Sequence, residues 1–305
     1  MDCGEKTMTD LIPAKRLVRA KDRVVPPSPV LNLHDYHHCF IRSSGGKDSQ
    51  AMLDYVVSIA DAQGYSRDNI TVTHADLGRV EWAGTVDIVR EQVAHYGLKL
   101  IVVKRVLGDL LEHIEKLGKF PMPTQRFCTS DHKRAQQAKT VTAAHAAWKA
   151  AGNTGVYKIV ECLGMRAQES SGRSKLEAVA RNDRFSTRDR EVTTWLPIHD
   201  WRLEKVWDRI KASGVRHHPA YDYGMPRLSC AFCIYAPRAA LLLAGKHNPE
   251  LLAEYVRVEE KIGHTFQTKM VKGKRIMLPI ADVQREVNEM IAEGREFEPV
   301  EDWVM

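Results

Sequence analysis

A run of six residues has the composition of a loop that binds phosphate. The run is Ser44, Gly45, Gly46, Lys47, Asp48 and Ser49, and it lies between a short apolar stretch and a helix-like stretch. Adjacent glycines let the backbone close around a phosphate, and the N-terminus of a following helix adds a favourable partial charge. The hydroxyls can donate hydrogen bonds, Lys47 supplies a positive charge, and Asp48 could help to hold Mg²⁺. The alternative is a tight turn with an incidental lysine.

This loop differs from the two commonest nucleotide-binding loops. The pattern G-x-x-x-x-G-K-[ST] requires Ser or Thr after its lysine, whereas Asp48 follows Lys47 here. The dinucleotide pattern G-x-G-x-x-G does not fit this stretch either. The sequence therefore predicts neither a P-loop nucleotidase of the common type nor a dinucleotide-binding loop.

Alternating strands and helices are predicted to position the loop. Strands are predicted over 39–43, 69–76, 98–105 and 155–165, and helices over 49–64, 85–97, 107–118 and 133–151. Residues 120–134 are predicted to form a loop, and the chain beyond Arg238 is predicted to be mostly helical, with a last helix over 282–294. This alternation predicts an α/β fold, with a parallel twisted sheet, helices on both of its faces and a helical C-terminal extension.

The composition is that of a soluble globular protein. Of the 305 residues, 44% are hydrophobic and 28% are charged, and the formal net charge is +6. A basic excess is compatible with a nucleotide or a nucleic acid as partner. No segment approaches the roughly 18 apolar residues of a membrane span, and the N-terminus lacks the apolar core of a secretion signal. We therefore expect a cytoplasmic protein with no membrane partner and with reduced cysteines.

The glycine loop resembles the PP-loop of the ATP pyrophosphatase superfamily, whose members cleave ATP between the α and β phosphates and adenylate a substrate. Further stretches resemble the phosphoadenosine-phosphosulfate (PAPS) reductase family, in one order over about residues 39 to 237. These stretches are "HADLGRVEWAGT", "QRFCTSDHKR", "GMRAQESSGRSK", "LPIHDWRLEKVWDRIKASGV" and "HPAYDYGMPRLSCAFC". The resemblance implies an adenine nucleotide alpha-hydrolase-like PP-loop fold.

The resemblance also implies a site for ATP and Mg²⁺. The residues that it assigns to nucleotide binding are Ser44, Gly45, Gly46, Lys47, Asp48, Ser49, Asp76, Gly164 and Arg166. The residues that it assigns to catalysis are Lys47, Asp48, Arg166 and Arg173. Glu169 and Ser170 match the same family segment as the two arginines. Surface charge is the alternative for Arg166 and Arg173, and Trp201 and Trp207 are predicted to be core residues.

Three cysteines are the candidate metal ligands. Cys230 and Cys233 form a C-x-x-C pair, and the resemblance implies that Cys128 lies over the same site. A [4Fe–4S] cluster normally takes four cysteines, so its fourth ligand is either absent or undetermined. Zinc with His132, four residues after Cys128, is one alternative, and free thiols are another. The remaining cysteines are weaker candidates or incidental: Cys3, Cys39 and Cys162.

The function implied by the resemblance is that of an ATP pyrophosphatase. PAPS reductases use a nucleophilic cysteine near the C-terminus, and no cysteine follows Cys233 in this sequence. We therefore expect adenylation of an acceptor, a nucleic acid by preference, followed by displacement of AMP by sulfur. The functional type that fits best is the ATP pyrophosphatase of DNA phosphorothioation, which pairs with a cysteine desulfurase. The alternatives are a sulfonucleotide reductase, a tRNA-thiolating enzyme and an inactive nucleotide-binding subunit.

The chain is predicted to have three regions. Residues 1–35 form a basic, proline-bearing arm or a poorly ordered terminus, residues 36–237 the nucleotide-binding domain, and residues 238–305 the helical extension. The expected partners are ATP, a nucleic acid and a cysteine desulfurase as sulfur donor. A homo-oligomer is left open.

Overall fold

A six-stranded sheet forms the centre of the fold in the computed structural model, which describes residues 24–300. The strands are β1 (His38–Ser43), β2 (Ile70–Asp76), β3 (Lys99–Lys104), β4 (Tyr157–Leu163), β5 (Val179–Arg181) and β6 (Arg190–Trp195). Their order is β3-β2-β1-β4-β6-β5, and all neighbours run parallel except β5 and β6. The predicted mostly parallel sheet is confirmed.

Nine α-helical segments within the described range surround and extend this sheet. They are α1 (Lys47–Gln63), α2 (Thr85–His95), α3 (Leu110–Leu117), α4 (Phe127–Thr129), α5 (Ala135–Ala150), α6 (Leu203–Ser213), α7 (Arg238–His247), α8 (Pro249–Ile262) and α9 (Ile280–Ala292). A π-helical turn over Ser130–Arg134 joins α4 to α5. Within residues 24–300, no helix combines the length and apolarity that crossing a membrane would need.

Side chains alternate along β1 so that both faces of the sheet are covered. Cys39 and Ile41 pack in a cluster built with α1, α2 and α6. Phe40 points to the other face, where it joins Val141 of α5 and Ile159 of β4. Because β1 is buried on both faces, its sequence is a short continuous apolar run rather than an alternating one.

The direction in which the sheet is built reverses at β1. The next strands along the chain, β2 and β3, lie on one side of β1, whereas β4 lies on the other. The connections that leave β1 and β4 therefore run in opposite directions, and they leave a crevice at the carboxyl ends of the two strands. Residues 44–49 follow β1 directly, so the glycine loop lies in this crevice.

The C-terminal extension shares a core cluster with the sheet domain. Leu241, Tyr255 and Val287 of α7, α8 and α9 belong to the same buried cluster as Leu77 and Phe232. Buried side chains on both sides of residue 237 therefore pack together. The domain boundary at this residue stays a prediction.

A β-hairpin interrupts the extension, which the sequence predicted to be mostly helical. Strands β7 (Gln267–Val271) and β8 (Lys274–Leu278) pair in antiparallel fashion. The turn between them consists of Lys272 and Gly273, with φ of 47° and 77°. Every residue of β8 is exposed. The hairpin therefore has no buried face on β8 that would leave an alternating apolar pattern in the sequence.

Two further parts of the secondary structure differ from what the sequence predicted. The segment 120–134, predicted to be a loop, is helical from Phe127 onward through α4 and the π-helical turn. Strands β5 and β6 were not predicted at all. β6 has the sequence REVTTW, whose charged and hydroxyl side chains resemble those of a surface loop.

The predicted N-terminal arm lies partly outside the described residues, since 1–23 are not among them. Its last part packs on the sheet domain. The backbone N–H of Ser28 donates to Asp200 Oδ1 at 3.1 Å, Trp195 Nε1 donates to the Pro29 carbonyl at 3.0 Å, and Leu33 is fully buried.

Candidate functional site

The turn between β1 and α1 is held closed by two serines. The backbone N–H of Ser44 donates to Ser49 Oγ at 3.1 Å, and Ser49 Oγ donates to the Gly46 carbonyl at 2.8 Å. Gly45 has φ of +74°, a backbone conformation that is strained for any residue with a side chain. Gly46 is the N-cap of α1 and supplies no side-chain hydrogen bond to the helix. The loop thus leads into a helix N-terminus without a side-chain cap, which favours an anion.

Tyr221 closes one side of this turn. Its hydroxyl accepts from the Lys47 backbone N–H at 2.7 Å, and a Cβ on Gly46 would lie 3.1 Å from the hydroxyl oxygen. Burial and, to a smaller extent, the charge of Asp48 raise the pKa of Tyr221, so its hydroxyl stays protonated. Sequence reasoning missed the role of this residue. The available signal was its place at the start of the stretch YDYGMPRLSCAFC.

The carboxylate of Asp48 lies between two cations. Its Oδ2 is 3.2 Å from Lys47 Nζ, and its Oδ1 is 2.6 Å from Arg166 Nε. The exposed fractions of the Lys47, Asp48 and Arg166 side chains are 6%, 15% and 5%. Burial alone would raise the pKa of Asp48, but the charges of Lys47 and Arg166 outweigh it and the pKa is lowered. Asp48 is therefore ionised at neutral pH.

The end of β4 packs against the first turn of α1. A Cβ on Gly164 would lie 2.9 Å from the Asp48 carbonyl oxygen and 3.1 Å from the Ser49 nitrogen. Backbone atoms this close leave no room for a side chain. Gly164 thus sets the distance between β4 and the start of α1, which carries Asp48 opposite Arg166.

Glu169 anchors two further arginines next to Arg166. Its carboxylate forms an ion pair with Arg173, and a second one, at 3.2 Å, with Nη1 of Arg227. It also accepts from the Arg166 backbone N–H at 3.0 Å. The Glu169 side chain is only 8% exposed, whereas those of Arg173 and Arg227 are 21% and 19% exposed. The two arginine side chains are therefore more exposed than the carboxylate that anchors them. Arg227 was not among the predicted site residues.

Cations outnumber carboxylates in this network. The cations are Lys47, Arg166, Arg173 and Arg227, and the carboxylates are Asp48 and Glu169. Arginine forks and a lysine beside a glycine loop and a helix N-terminus can stabilise an anion with several charged oxygens, such as a polyphosphate. The arrangement suits phosphoryl or nucleotidyl chemistry.

Asp76 ends β2 at the same edge of the sheet. Its Oδ1 accepts from the Gly78 backbone N–H at 2.7 Å, and its Oδ2 lies 3.6 Å from Lys104 Nζ. A cavity of about 560 Å³ opens beside it, lined by Trp82 and by the turn between α7 and α8. Among the described residues, no hydrogen bond or ion pair joins Asp76 to residues 44–49.

Cys128, Cys230 and Cys233 border one hydrophobic cluster. The cysteine loop, residues 228–236, is pinned to the sheet edge because the Ala231 N–H donates to the Val80 carbonyl at 2.9 Å. Burial raises the pKa of Cys230 and Cys233, and the charge of Cys128 raises both further. The charge of Cys128 thus acts on both thiols of the C-x-x-C pair, and all three side chains border the same cluster. Within residues 24–300, however, no group of three or more His, Cys, Asp or Glu side chains is arranged to hold a metal ion.

One ring nitrogen of His132, the alternative fourth ligand, contacts a second histidine. Its Nε2 lies 3.0 Å from His113 Nδ1, and its side chain is fully buried. Burial, followed by the charge of His113, lowers the pKa of His132 to about 4, so the ring is neutral. The sulfurs of Cys39 and Cys162 lie 3.7 Å apart in the core, where neither is accessible.

Comparison with known proteins places this site in a family. Residues 38–236 match the phosphoadenosine phosphosulfate reductase domain. The chain belongs to this family. The matched range holds the glycine loop, the arginine network and the cysteine loop of this PAPS reductase family member, and it ends where the extension begins. No curated protein matches the chain in sequence.

Solved structures similar to this PAPS reductase family member come from several enzymes. A PAPS reductase from Candida auris, in a phosphate complex, is 15% identical, with 65% of this chain and 83% of that chain covered and a TM-score of 0.40. An FMN adenylyltransferase from Candida glabrata, with FAD and inorganic pyrophosphate, is 15% identical, with 88% and 79% covered and a TM-score of 0.43. The U34-tRNA thiolase NcsA from Methanococcus maripaludis, with its [4Fe-4S] cluster, is 11% identical, with 88% and 76% covered and a TM-score of 0.38.

Proposed function

We propose that the protein is an ATP pyrophosphatase that adenylates a nucleic acid and so prepares it for sulfur incorporation, as in DNA phosphorothioate modification. The observation that carries the proposal is the buried arrangement of Lys47, Asp48 and Arg166 beside the glycine loop. This arrangement is pre-formed, so its charges need no reorganisation when a polyphosphate binds.

The proposed reaction has two displacements. An oxygen of the acceptor attacks the α-phosphorus of ATP, the bond between the α-phosphorus and the bridging oxygen breaks, and pyrophosphate leaves. A sulfur nucleophile at the oxidation level of sulfide then displaces AMP from the adenylated acceptor, so neither step changes an oxidation state. A cysteine desulfurase is the proposed source of that sulfur. It supplies a persulfide, which a dithiol reduces by two electrons to sulfide before the displacement, and the dithiol leaves as a disulfide.

The residues of the glycine loop would bind the β and γ phosphates, which become the leaving group. Lys47 and the backbone N–H groups at the start of α1 would offset the charge that develops on pyrophosphate. Arg166, with Arg173 and Arg227 held by Glu169, would bind the α-phosphate and orient it for attack. Asp76 would lie at the nucleoside side of the same edge.

Mg²⁺, when it enters with ATP, would supply positive charge that offsets part of the charge on the phosphates. Asp48 is the protein ligand that we propose for it. Both oxygens of Asp48 are already engaged by Lys47 and Arg166, so the carboxylate would share its lone pairs. The phosphates would then provide most of the coordination, as is usual for Mg²⁺ with nucleotides.

The cysteine loop is proposed to handle sulfur, with Cys128, Cys230 and Cys233 as ligands of a [4Fe–4S] cluster or, as the alternative, of Zn²⁺. The nearness of three thiols supports this proposal, while the lack of a closed ligand group among residues 24–300 means that the sulfurs would have to move together.

Pyrophosphate release from Mg-ATP, measured with and without nucleic acid, tests the proposal. We expect turnover by the wild-type protein and a loss on the order of 100-fold to 1,000-fold in Lys47→Ala, because a charge on the leaving group is removed. Lys211→Ala, an exposed lysine at the end of α6, is the matched control and should turn over normally. Equal rates in all three proteins would rule the proposal out.

A second assay separates the family's other reactions. The purified protein is incubated with PAPS and a dithiol, and sulfite is measured, while nucleic acid from the ATP reaction with a desulfurase is digested for mass spectrometry. A phosphorothioate in DNA supports the proposal, a thionucleoside in tRNA would favour a thiolase, and sulfite formation would favour a reductase.

A further inference from the structure

The β7–β8 hairpin lies outside residues 38–236, the range that matches the family, and it carries an unbalanced charge. Its sequence over 267–278 contains Lys269, Lys272, Lys274 and Arg275 and no acidic residue. All four side chains are exposed, and none forms an ion pair within the described part of the chain. Cations left unpaired on a protruding hairpin attract a polyanion, because binding releases condensed counterions.

Exposed apolar side chains lie among these cations. Met270, Met277 and Ile276 are 63%, 52% and 43% exposed. Across the hairpin, Lys269 is paired with Ile276, and Met270 with Arg275. Cross-strand partners share a face and successive pairs lie on opposite faces. Each face of the ribbon therefore presents a cation next to an apolar side chain.

This two-sided pattern distinguishes the candidate polyanions. A lipid surface takes up an element with one apolar face and one charged face. The major groove of duplex DNA admits a two-stranded ribbon, with phosphates on both flanks and thymine methyl groups at its floor, so the face that enters it meets both charged and apolar groups. The deep, narrow major groove of duplex RNA does not admit one. The pattern on the hairpin fits the DNA groove.

The base of the hairpin is attached to the cysteine loop. Gln267 Nε2 donates to the carbonyls of Cys233, Ile234 and Ala236 at 3.3, 2.9 and 3.1 Å. A nucleic acid held by the hairpin would therefore lie beside Cys230 and Cys233.

A second basic rim lies next to the same base. A groove of about 510 Å³ is lined by three cations, Lys119, Arg126 and Arg134, and by one carboxylate, Asp131. The rim is joined to the hairpin base by Phe120, which contacts Phe266 with ring centroids 5.4 Å apart. It is joined to the cysteine loop by Arg126, whose guanidinium lies 6.0 Å from the ring centroid of Tyr235.

We propose that the β7–β8 hairpin, together with this rim, binds duplex DNA, with the ribbon in the major groove and the cysteine loop facing the DNA backbone. The inference rests on the proposed function, because it takes a nucleic acid as the acceptor. It adds that the acceptor is duplex DNA and names the surface that holds it.

The test is the affinity of the full chain, without ATP, for a labelled DNA duplex over a range of salt concentrations. The variant combines Lys272→Asn with Lys274→Ala, since asparagine tolerates the positive φ at position 272. Because this variant lacks two cations that would neutralise phosphates, we expect binding about 30-fold weaker at about 0.15 M salt and a log–log salt slope shallower by about 1.8. The charge-matched control, Arg184→Ala with Arg188→Ala between β5 and β6, should bind as the wild type does.

Wild-type affinity in the hairpin variant would overturn the inference, and so would tighter, hairpin-dependent binding of duplex RNA, single-stranded DNA or anionic vesicles. Should the turn variant fold poorly in thermal denaturation, Lys269→Ala with Arg275→Ala removes one cation from each face and carries the same expectation. The assay contains no ATP, so its outcome does not depend on whether the protein cleaves ATP. An active pyrophosphatase with a hairpin that does not bind DNA would refute this inference alone.

Discussion

In the glycine loop, Asp48 has oppositely charged partners within 3.2 Å, whereas the thiols of the cysteine loop are buried beside apolar side chains. Burial acts in the same direction on the pKa of Asp48 and of Cys230, since it disfavours the charged form of each. Two adjacent cations reverse the effect at Asp48. At Cys230 the charge of Lys133 only lessens it. The first region is charged and pre-formed, and the second is neutral and needs a ligand to become charged.

The largest effect is expected from removing the charge that balances the glycine loop. Asp48→Asn leaves Lys47 and Arg166 without their counter-ion, and we expect the free energy of unfolding to fall by about 3 kcal/mol, measured by urea denaturation at pH 7. Because the folded state lowers the pKa of Asp48, its contribution is present above the unfolded pKa near 3.8 and is lost as the pH falls through the folded value.

Two observations check this assignment. First, the difference in the free energy of unfolding between the wild type and Asp48→Asn should shrink as the pH falls into the acid range, because Asp48 becomes protonated there. The exposed pair of Arg181 and Asp183 is the control, and Asp183→Asn should cost at most about 0.5 kcal/mol. Equal losses for the two substitutions would mean that the pair at Asp48 behaves as a surface pair.

The next effect concerns the contact that positions Asp48. In Gly164→Ala the new Cβ would be forced to within 2.9 Å of the Asp48 carbonyl, so the start of α1 must shift. We expect a loss of about 2 kcal/mol in stability and weaker ATP binding, measured by calorimetry. Gly172→Ala is the matched control, because its Cβ would meet only the Ser170 Oγ, at 3.9 Å. Similar ATP affinity in the two variants would show that α1 tolerates the shift.

The neutral state of the cysteine loop predicts a dependence on alkaline pH. The folded state raises the pKa of Cys230, so its stabilising contribution is complete below the unfolded value near 9 and declines as the pH rises above it. Each such thiol should lower the free energy of unfolding by up to about 1.4 kcal/mol per pH unit there. In Cys230→Ala one ionising thiol is absent. The free energy of unfolding should then decline less steeply with pH, by up to about 1.4 kcal/mol per pH unit. Identical slopes in urea titrations between pH 8 and 10 would contradict a raised pKa.

The smallest effect is expected at the base of the hairpin. Gln267→Ala removes hydrogen bonds to three carbonyls of the cysteine loop, and we expect a loss of about 1 kcal/mol. Hydrogen exchange should become faster over 230–236 and should not change at the glycine loop. Thr268→Ala, at the exposed neighbour, serves as control. Unchanged exchange in the cysteine loop would mean that Gln267 does not support it.

The two regions also differ in how far the sequence predicts them. The glycine loop is local, since six consecutive residues and the end of β1 define it, and both are readable from the residues themselves. Its partners are not local. Tyr221 and Arg227 follow the loop by more than 170 residues, and only their place in a family motif suggested them.

The cysteine loop depends on contacts that no sequence pattern reports. Gln267, which donates to its carbonyls, is a polar residue at the start of a strand that was not predicted, in a region predicted to be mostly helical. The alternation of strands and helices was predictable, because strands buried on both faces have continuous apolar runs in their sequence. β8 is exposed at every residue and has no such signal.

The end of the described chain packs against the segment that precedes the cysteine loop. The Val300 N–H donates to the Gly224 carbonyl at 3.0 Å, and a Cβ on Gly224 would lie 3.0 Å from the Pro299 Cα. During synthesis, the segment from 238 to 300 emerges after the cysteine loop, roughly 3 to 13 seconds later at about 5–20 residues per second. For that interval the glycine loop already has its partners up to Arg227, while the cysteines still lack the chain that will cover them. The covering of these thiols by the extension is therefore a late step in the synthesis of the chain.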